Sequence, residues 1–247
     1  MRIDSPSYVD VPTPSGPMRT NLFRPAAEGS YPGVVLFSEI YQMTGPIART
    51  AATLAGKGYL VAVPEVYHEF EPAGTVLAYD KPGTDRGNEL KVTKKLEHFD
   101  HDARAVIDTL CNDAACTGRV GAIGICLGGH LAFRAAMDPR LQACACLYAT
   151  DIHKHSLAAG MRDDSLDRVA KIQGELLMIW GRQDPHIPAE GRRIIYDALS
   201  AAGVNFTWHE FNGEHAFIRD EGHRFDPALA QLVHVLIDEV FQRRLKR

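Results

Sequence analysis

The pattern Gly124-Ile-Cys-Leu-Gly places Cys126 between two glycines, where its thiol is suited to nucleophilic chemistry. An apolar run over residues 120–125 precedes the cysteine, and an alanine-rich stretch with helical character follows it. A strand, a sharp turn and a helix in this order form a nucleophile elbow, here with a thiol in place of the usual hydroxyl. The glycines avoid collisions around a strained residue, and the N-terminus of the helix favours the thiolate. We therefore predict that Cys126 attacks a carbonyl carbon.

Two later loops contain what such a thiol needs, a base and a carboxylate that orients the base. Asp184 follows an apolar run in Trp-Gly-Arg-Gln-Asp-Pro-His, and His215 follows the next one in Phe-Asn-Gly-Glu-His-Ala-Phe. An aspartate before proline is usually a turn residue, and a loop histidine is usually just solvated. Nucleophile, acid and histidine nevertheless follow three predicted strands in the order of α/β-hydrolases, so we predict a triad of Cys126, Asp184 and His215.

Alternating strand and helix patterns must position these residues. The predicted strands cover residues 9–11, 18–23, 32–38, 59–63, 120–125, 141–149, 175–180 and 205–211, and the predicted helices cover residues 47–57, 90–110, 190–202 and 227–245, besides the one after Cys126. The first two strands read as an antiparallel edge hairpin, whereas the later apolar runs suit strands buried on both faces. The pattern predicts an α/β-hydrolase fold, with a mostly parallel central sheet and helices on both faces. Residues 65–87 and 150–168 read as long loops of the kind that cover or line sites.

Length and composition limit the classes of function. The 247 residues suit one α/β domain over residues 1–247, and no repeat or linker divides them. A net charge of -4 without a basic cluster argues against nucleic acid as a partner. No apolar run approaches the roughly 18 residues of a membrane helix, so we expect no membrane association. Five cysteines, an odd number, fit a reducing compartment, and we expect a cytoplasmic protein.

Four segments resemble the dienelactone hydrolase family, the carboxymethylenebutenolidases. They are Phe37-Ser-Glu-Ile-Tyr, Gly124-Ile-Cys-Leu-Gly-Gly, Gly181-Arg-Gln-Asp-Pro and Gly213-Glu-His-Ala-Phe, and the likeness runs from about residue 32 to the last predicted helix. The resemblance implies hydrolysis of a small ester or enol-lactone through a thiol ester on Cys126. It also implies a small-molecule partner that bears a carboxylate in this family, and we expect a monomer or a weak homodimer.

The resemblance also implies roles for residues beside the triad. Glu39 resembles the carboxylate that pairs with the resting nucleophile and leaves it when substrate enters. A nearby anion opposes ionisation of a thiol, which would keep Cys126 quiet until then. The backbone N–H groups of Leu127 and Ile40 would be the oxyanion donors.

Three further residues are candidates for substrate binding by the same resemblance. Arg219, four residues after His215, matches an arginine that binds the substrate carboxylate, for which a guanidinium fork is suited. Arg86, in the long loop, is a second candidate for this role, with an ordinary solvated arginine as the alternative. Tyr148, at the end of a predicted strand, would line the pocket. The stretch 150–168 looks longer than the family's usual connection, which makes the reaction type firmer than the substrate.

Other functions compete with this interpretation. A broader carboxylesterase or thioesterase would use the same triad on a non-lactone substrate, and a non-catalytic relative would only bind a ligand. Eleven histidines invite a metal hypothesis, with His98 one helical turn from Asp102 and a His153-x-His155 pair. No His-Glu-x-x-His or paired Cys-x-x-Cys motif is present, so we predict no catalytic metal. The Gly-x-Gly-x-x-Gly spacing of a dinucleotide site is also missing, and we predict no cofactor.

Overall fold

Eight strands form one sheet within the residues that the computed structural model describes, 1–158 and 161–247. The strands are β1 (Ser7–Thr13), β2 (Gly16–Phe23), β3 (Tyr31–Phe37), β4 (Leu60–Pro64), β5 (Cys116–Ile125), β6 (Leu141–Leu147), β7 (Glu175–Gly181) and β8 (Phe206–Phe211). Their order in the sheet is β1-β2-β4-β3-β5-β6-β7-β8. The strands from β3 to β8 are parallel, whereas β2 pairs antiparallel with both β1 and β4. The predicted mostly parallel sheet and its antiparallel edge hairpin are confirmed.

Helices cover both faces of this sheet. They are α1 (Gly45–Gly56), α2 (Lys81–Thr93), α3 (Leu96–Cys111), α4 (Leu127–Ala135), α5 (Ala189–Ala201) and α6 (Pro227–Leu245). Gly33 of β3 lies against Leu110 of α3, and Gly121 of β5 lies against Leu245 of α6. Gly121 is in register with Val34, the residue after Gly33, so the two glycines face opposite sides of the sheet. The α/β-hydrolase fold predicted from the sequence is therefore the fold observed.

The helix predicted over residues 90–110 is two helices, and this part of the prediction was wrong. Lys94 and Lys95 adopt extended backbone angles between α2 and α3. The break buries the Lys94 side chain completely, and its ammonium pairs with Glu69 and, at 2.8 Å, with Asp102. Helical periodicity continues across the break, which is why the pattern alone did not show it. A buried ion pair that joins the helix break to the loop before α2 accounts for the change of direction.

The predicted loop over residues 65–87 is also shorter than expected, because α2 begins at Lys81. The Asp80 carboxylate accepts a hydrogen bond from the Gly83 N–H at 2.8 Å, and a proline stands in the first turn. Aspartate at the N-cap followed by proline is a typical helix start. The proline and glycines that suggested a loop therefore mark the beginning of a helix.

The predicted loop over residues 150–168 contains one short 3-10 turn, Ile152–Lys154, and a second one follows it at Val169–Lys171. Residues 159–160 of this loop lie outside the described residues. Ser165 ties the loop to α4, since its hydroxyl lies 2.7 Å from His130 Nε2 and accepts a hydrogen bond from Arg134 at 2.9 Å. The loop is therefore anchored to the helix that follows Cys126. None of the described helices is long and apolar enough to cross a membrane.

Candidate active site

The turn between β5 and α4 carries Cys126 in a strained conformation. Its backbone φ is 60° and its ψ is -118°, a region that few residues other than glycine adopt. A Cβ on Gly124 would lie 1.8 Å from the Gly128 carbonyl oxygen, and a Cβ on Gly128 would lie 2.1 Å from the carbonyl oxygen of Phe37. Both glycines are therefore required by close backbone approach, as the elbow interpretation predicts.

The structure brings Cys126, Asp184 and His215 together. His215 Nε2 lies 3.2 Å from Cys126 Sγ, and His215 Nδ1 lies 2.7 Å from Asp184 Oδ2. Asp184 follows β7 and His215 follows β8, while Cys126 follows β5 in the same parallel region of the sheet. The carboxyl ends of parallel strands share one edge, so three distant segments converge there. The other Asp184 oxygen accepts the His186 N–H at 2.8 Å, which fixes the carboxylate.

The neighbours of His215 favour its charged form. Burial opposes the imidazolium, but the Cys126 sulfur and the hydrogen bonds to Asp184 and Cys126 outweigh burial and raise the pKa of His215 to about 10. The ring is packed edge-on against Tyr148, 5.1 Å away between ring centroids, and against His186, 4.6 Å away. The arrangement suits a histidine that holds a proton beside the sulfur.

Glu39 is buried directly after β3, with only 2% of its surface exposed. It accepts a hydrogen bond from the Tyr79 hydroxyl at 2.8 Å, and Arg219 Nη1 lies 3.8 Å from its other oxygen. Arg219 is stacked on the Tyr79 ring, with its guanidinium carbon 4.2 Å from the ring centroid. Burial raises the pKa of Glu39, although Arg219 and the Tyr79 hydrogen bond both act to lower it. The negative charge of the buried Glu39 carboxylate is therefore only partly compensated by Arg219 and Tyr79.

The expected pairing of Glu39 with the resting nucleophile differs from the arrangement observed. Among the described residues, the hydrogen bond to Cys126 Sγ comes from His215, while Glu39 contacts Tyr79 and Arg219. The physical reason is that His215 offers the sulfur a cationic partner, whereas a carboxylate beside a thiolate would repel it. Glu39 and Cys126 do line the same cavity.

The two predicted oxyanion donors lie near Cys126 by different routes, since Leu127 follows it in the chain and Ile40 shares its cavity. Leu127 is the first residue of α4, where backbone N–H groups have no partner within the helix. Ile40 follows Glu39 in the loop after β3 and lines the cavity with Cys126. In the part of the chain that the structure describes, neither N–H donates a hydrogen bond to another protein group. Their role as oxyanion donors stays a prediction.

A cavity of about 510 Å³ opens at the nucleophile. Its lining includes Cys126, His215 and Arg219. It also includes Tyr79, Lys91, His186 and Arg224, which were not predicted from the sequence. Lys91 also pairs with Asp151 at 2.8 Å across the cavity rim. Tyr79 lies in the segment 65–87, which was predicted as a loop of the kind that lines a site, whereas Lys91 lies in the segment predicted as one long helix, where no local signal pointed to the cavity. His186 stands two residues after Asp184 in the sequence, and this proximity could have indicated that it lies in the cavity.

Two of the predicted substrate-binding residues lie elsewhere. Arg86 donates from Nε to Glu71 at 2.7 Å and from Nη1 to Glu89 at 2.9 Å, and it is not among the described residues that line the cavity at Cys126. The structure therefore does not bring Arg86 to the nucleophile, because α2 begins earlier than predicted and turns this side chain outward. Tyr148 is fully buried after β6, with a φ of 37°, and packs against His215 without lining that cavity.

Two groups in the described chain have metal-ligand spacing. The first is Asp184, His186 and His215, in which Asp184 and the Nδ1 atom of His215 are hydrogen-bonded to each other. The second is His68, Glu69 and Asp102, and here the buried Lys94 ammonium already occupies the position between the carboxylates. Of the histidines considered for a metal, His98 contacts Glu69 at 2.7 Å. The prediction of no catalytic metal and no cofactor stays a prediction.

Comparison with known proteins places this geometry in a family. The model of the dienelactone hydrolase family matches residues 18–245. A Saccharomyces cerevisiae relative, assigned by name to the carboxymethylenebutenolidases, is 42% identical over 252 residues, which cover 97% of this chain and 92% of the relative. A Pseudomonas protein named carboxymethylenebutenolidase is 25% identical over 217 residues, or 88% of this chain and 87% of that protein.

Solved structures show the same fold. A crystal structure of a Klebsiella pneumoniae protein assigned to the dienelactone hydrolases has a TM-score of 0.84 and 21% identity, and the match covers 98% of this chain and 99% of that one. At this identity the likeness supports the fold, whereas the family match and the yeast relative support the kind of reaction. The chain therefore belongs to the dienelactone hydrolase family and is a hydrolase that acts on esters or lactones.

Proposed function

We propose that this hydrolase cleaves its substrate through a thiol ester on Cys126, with Asp184 and His215 completing a catalytic triad. The observation that supports this most strongly is the hydrogen-bonded chain from Asp184 Oδ2 to His215 Nδ1 and from His215 Nε2 to Cys126 Sγ. A strained nucleophile, a buried histidine and a carboxylate that orients it are the parts that acyl transfer requires. In the proposed first step, Cys126 is a thiolate and His215 carries the proton.

The reaction then proceeds in two half-reactions, formation of the thiol ester and its hydrolysis. The Cys126 sulfur forms a bond to the carbonyl carbon while the carbonyl π electrons move to the oxygen, where the Leu127 and Ile40 N–H groups would stabilise the charge. When the carbonyl re-forms, the carbon–oxygen bond of the ester breaks, and His215 gives its proton to the leaving oxygen. Water attacks the thiol ester next, with His215 as the base that takes its proton. The sulfur leaves as a thiolate, the acid is released and His215 is charged again.

We further propose that Arg219 binds a carboxylate of the substrate. Arg219 lines the cavity with Cys126, and its present partner Glu39 lies 3.8 Å away, farther than a normal hydrogen bond. A substrate carboxylate within reach would therefore compete well with Glu39 for the guanidinium. Lys91 and Arg224 are further cations of the same lining, which also contains the carboxylates Asp151 and Glu221. An acidic lactone, the substrate class that the name carboxymethylenebutenolidase denotes in the Pseudomonas relative, fits these charges.

Glu39 connects carboxylate binding to the nucleophile in this proposal. When Arg219 turns to the substrate, Glu39 loses the cation that favours its charged form. Since burial already raises the pKa of Glu39, the loss of Arg219 raises it further and promotes protonation. Removing this negative charge from the cavity wall would favour the thiolate of Cys126 at the moment when substrate is present.

A broader carboxylesterase or thioesterase is the first alternative, and a ligand-binding relative without activity is the second. The complete triad argues against the non-catalytic alternative. The test is a rapid-mixing assay with an activated aryl ester, in which we expect a burst of one equivalent of phenol from the native protein and none from Cys126→Ala. Equal turnover by the two proteins would contradict the thiol mechanism. A chelator should leave activity intact, whereas a thiol alkylator should abolish it.

Carboxylate binding has a separate test. We compare kcat/KM of Arg219→Ala with that of the native enzyme on an acidic lactone and on a neutral aryl ester. A charge-assisted hydrogen bond contributes about 1.5–3 kcal/mol, so the acidic substrate should lose roughly 10- to 100-fold and the neutral ester much less. Arg86→Ala is the control, since Arg86 binds Glu71 and Glu89 outside the cavity. Equal losses on both substrates for Arg219→Ala would rule out a carboxylate-binding role.

A further inference from the structure

A second cavity, of about 400 Å³, lies between α1 and α6 beside the catalytic cavity. We call it the α1–α6 chamber. Glu39 and Arg219 line both cavities, so this ion pair stands between them. The volume is within the range of ligand-binding pockets and exceeds by more than twofold the roughly 150 Å³ that holds one benzene ring.

The walls of the chamber are suited to an uncharged, apolar group. Its lining includes apolar side chains from four parts of the fold, namely Ile47, Ile125, Ile218, Phe225 and Ala230. Its charged residues have partners among the described residues. Arg49 pairs with Asp220 and Glu221 at the edge of the chamber, Lys57 pairs with Asp238 at 2.5 Å, and Arg219 pairs with Glu39. Apart from Arg219, which faces the catalytic cavity as well, the cations of the described lining are therefore engaged by carboxylates.

One polar group in the chamber wall has no partner. Tyr148 lines the chamber and is fully buried, and within the described chain its hydroxyl makes no hydrogen bond. A buried hydroxyl without a partner is costly, and a ligand oxygen that reached it would relieve that cost.

The position of the chamber relative to the triad indicates which part of a substrate enters it. Ile125 and Glu39, which line the chamber, are the chain neighbours of the nucleophile Cys126 and of the proposed oxyanion donor Ile40. His215, which must protonate the leaving oxygen, lines only the catalytic cavity. The chamber is therefore on the acyl side of the reacting carbonyl, and the leaving group is on the side of His215.

We propose that the α1–α6 chamber binds an uncharged alkyl or aryl extension of the substrate's acyl group. This inference rests on the proposed function, since it names the part of the substrate that the triad does not touch. The Glu39–Arg219 pair parts when the acyl group enters. The enzyme would then accept longer acyl chains than the catalytic cavity alone explains.

The test compares p-nitrophenyl esters with acyl chains of two to eight carbons. Ala230→Phe fills the chamber from α6, and Thr50→Phe fills it from α1. Each buried methylene contributes roughly a fourfold factor, so the ratio of kcat/KM for octanoate to that for acetate should fall at least tenfold in both variants. Ala228→Phe, on the same helix but exposed and outside the chamber lining, is the matched control and should keep the native ratio. Thermal melting monitored by circular dichroism verifies that each variant is folded.

A binding measurement separates this inference from the proposed catalytic function. Calorimetry with octanamide, an uncharged ligand, uses Cys126→Ala with and without Ala230→Phe. We expect octanamide to bind Cys126→Ala and to bind at least tenfold more weakly when the chamber is filled. Octanamide binding that is equal in the two proteins, or octanoate-to-acetate ratios in the filled variants equal to that of Ala228→Phe, would overturn the chamber assignment. A failure of Cys126→Ala to reduce turnover would instead count against the triad and leave the binding result standing.

Discussion

Two buried glutamates at opposite ends of the sheet have pKa values that are shifted in opposite directions. Glu39 follows β3 at the carboxyl end of the parallel strands, and Glu175 begins β7 at the other end. Burial raises the pKa of Glu39, whereas hydrogen bonds from Arg243 and Arg244 lower the pKa of Glu175 to about 2. Two oxygens of Glu175 accept bonds from these arginines at 2.6–2.8 Å, while Arg219 stays 3.8 Å from Glu39.

The difference between the two glutamates indicates that the two ends of the sheet have different roles, one in activity and the other in stability. A carboxylate with well-placed hydrogen bonds to charged groups contributes stability, whereas a buried and partly compensated one reduces it. Poorly compensated charge is typical of sites that must respond to a ligand. We therefore expect substitutions at the carboxyl end to change activity and those at the amino end to change stability.

The largest effect should come from the catalytic end, with Asp184→Asn. An amide cannot stabilise the His215 imidazolium and favours the wrong tautomer, so kcat should fall about 10³- to 10⁴-fold on an aryl ester. Thermal unfolding should change little by comparison. Asp138→Asn, a carboxylate that pairs with Arg140 outside the cavity, is the control and should keep native kcat. A loss below tenfold for Asp184→Asn would show that the triad geometry is not what limits the reaction.

A smaller effect, on stability alone, is expected for Glu175→Gln. Loss of charge-assisted bonds to Arg243 and Arg244 should lower the free energy of unfolding at pH 7 by about 1–3 kcal/mol, with kcat retained. Because the pKa of Glu175 is about 2 in the folded protein and 4.5 ordinarily, this stability is present above pH 4.5 and is lost as the pH falls towards 2. Urea unfolding at several pH values measures the change. Glu239→Gln, at the exposed partner of Arg243, should have little effect.

The smallest effect, and one of opposite sign, is expected for Glu39→Gln. The amide oxygen still accepts the Tyr79 hydrogen bond, and the buried charge is gone, so stability at pH 7 should rise by on the order of 1 kcal/mol. Since the folded pKa of Glu39 is raised above the ordinary 4.5, the native carboxylate opposes folding increasingly as the pH rises above 4.5. The advantage of the variant should therefore disappear below that pH in urea unfolding. A decrease in stability at pH 7 would contradict the contrast drawn between the two glutamates.

Local patterns were sufficient to predict the position of most strands and the convergence of Cys126, Asp184 and His215. Apolar runs such as the one before Cys126 are too continuous for a surface element, and each of Cys126, Asp184 and His215 directly follows such a run. Parallel strands align their carboxyl ends, so residues that follow them converge without any long-range information. Glu39 was reached through the family resemblance, and it does line the cavity with Cys126.

Other features could not be predicted because they depend on contacts between distant segments. The break at Lys94 depends on Glu69 and Asp102, and the helical pattern continues across it without interruption. The prediction that Arg86 binds substrate failed for a related reason. Arg86 lies in α2, which begins at Lys81 among proline and glycine residues that also occur in loops. The contact of Tyr79 with Glu39 joins segments 40 residues apart.

The sequence by itself determined which groups are the candidates for the chemistry and in which order they follow the strands, because strand periodicity and elbow glycines are properties of short segments. Only the tertiary structure decided what surrounds those groups: the partly compensated Glu39, the cations at the cavity rim and the chamber between α1 and α6. Charge compensation and cavity shape depend on distances between side chains that meet only after folding. The reaction type could therefore be predicted from the sequence, whereas the environment proposed for the acyl group could be described only from the fold.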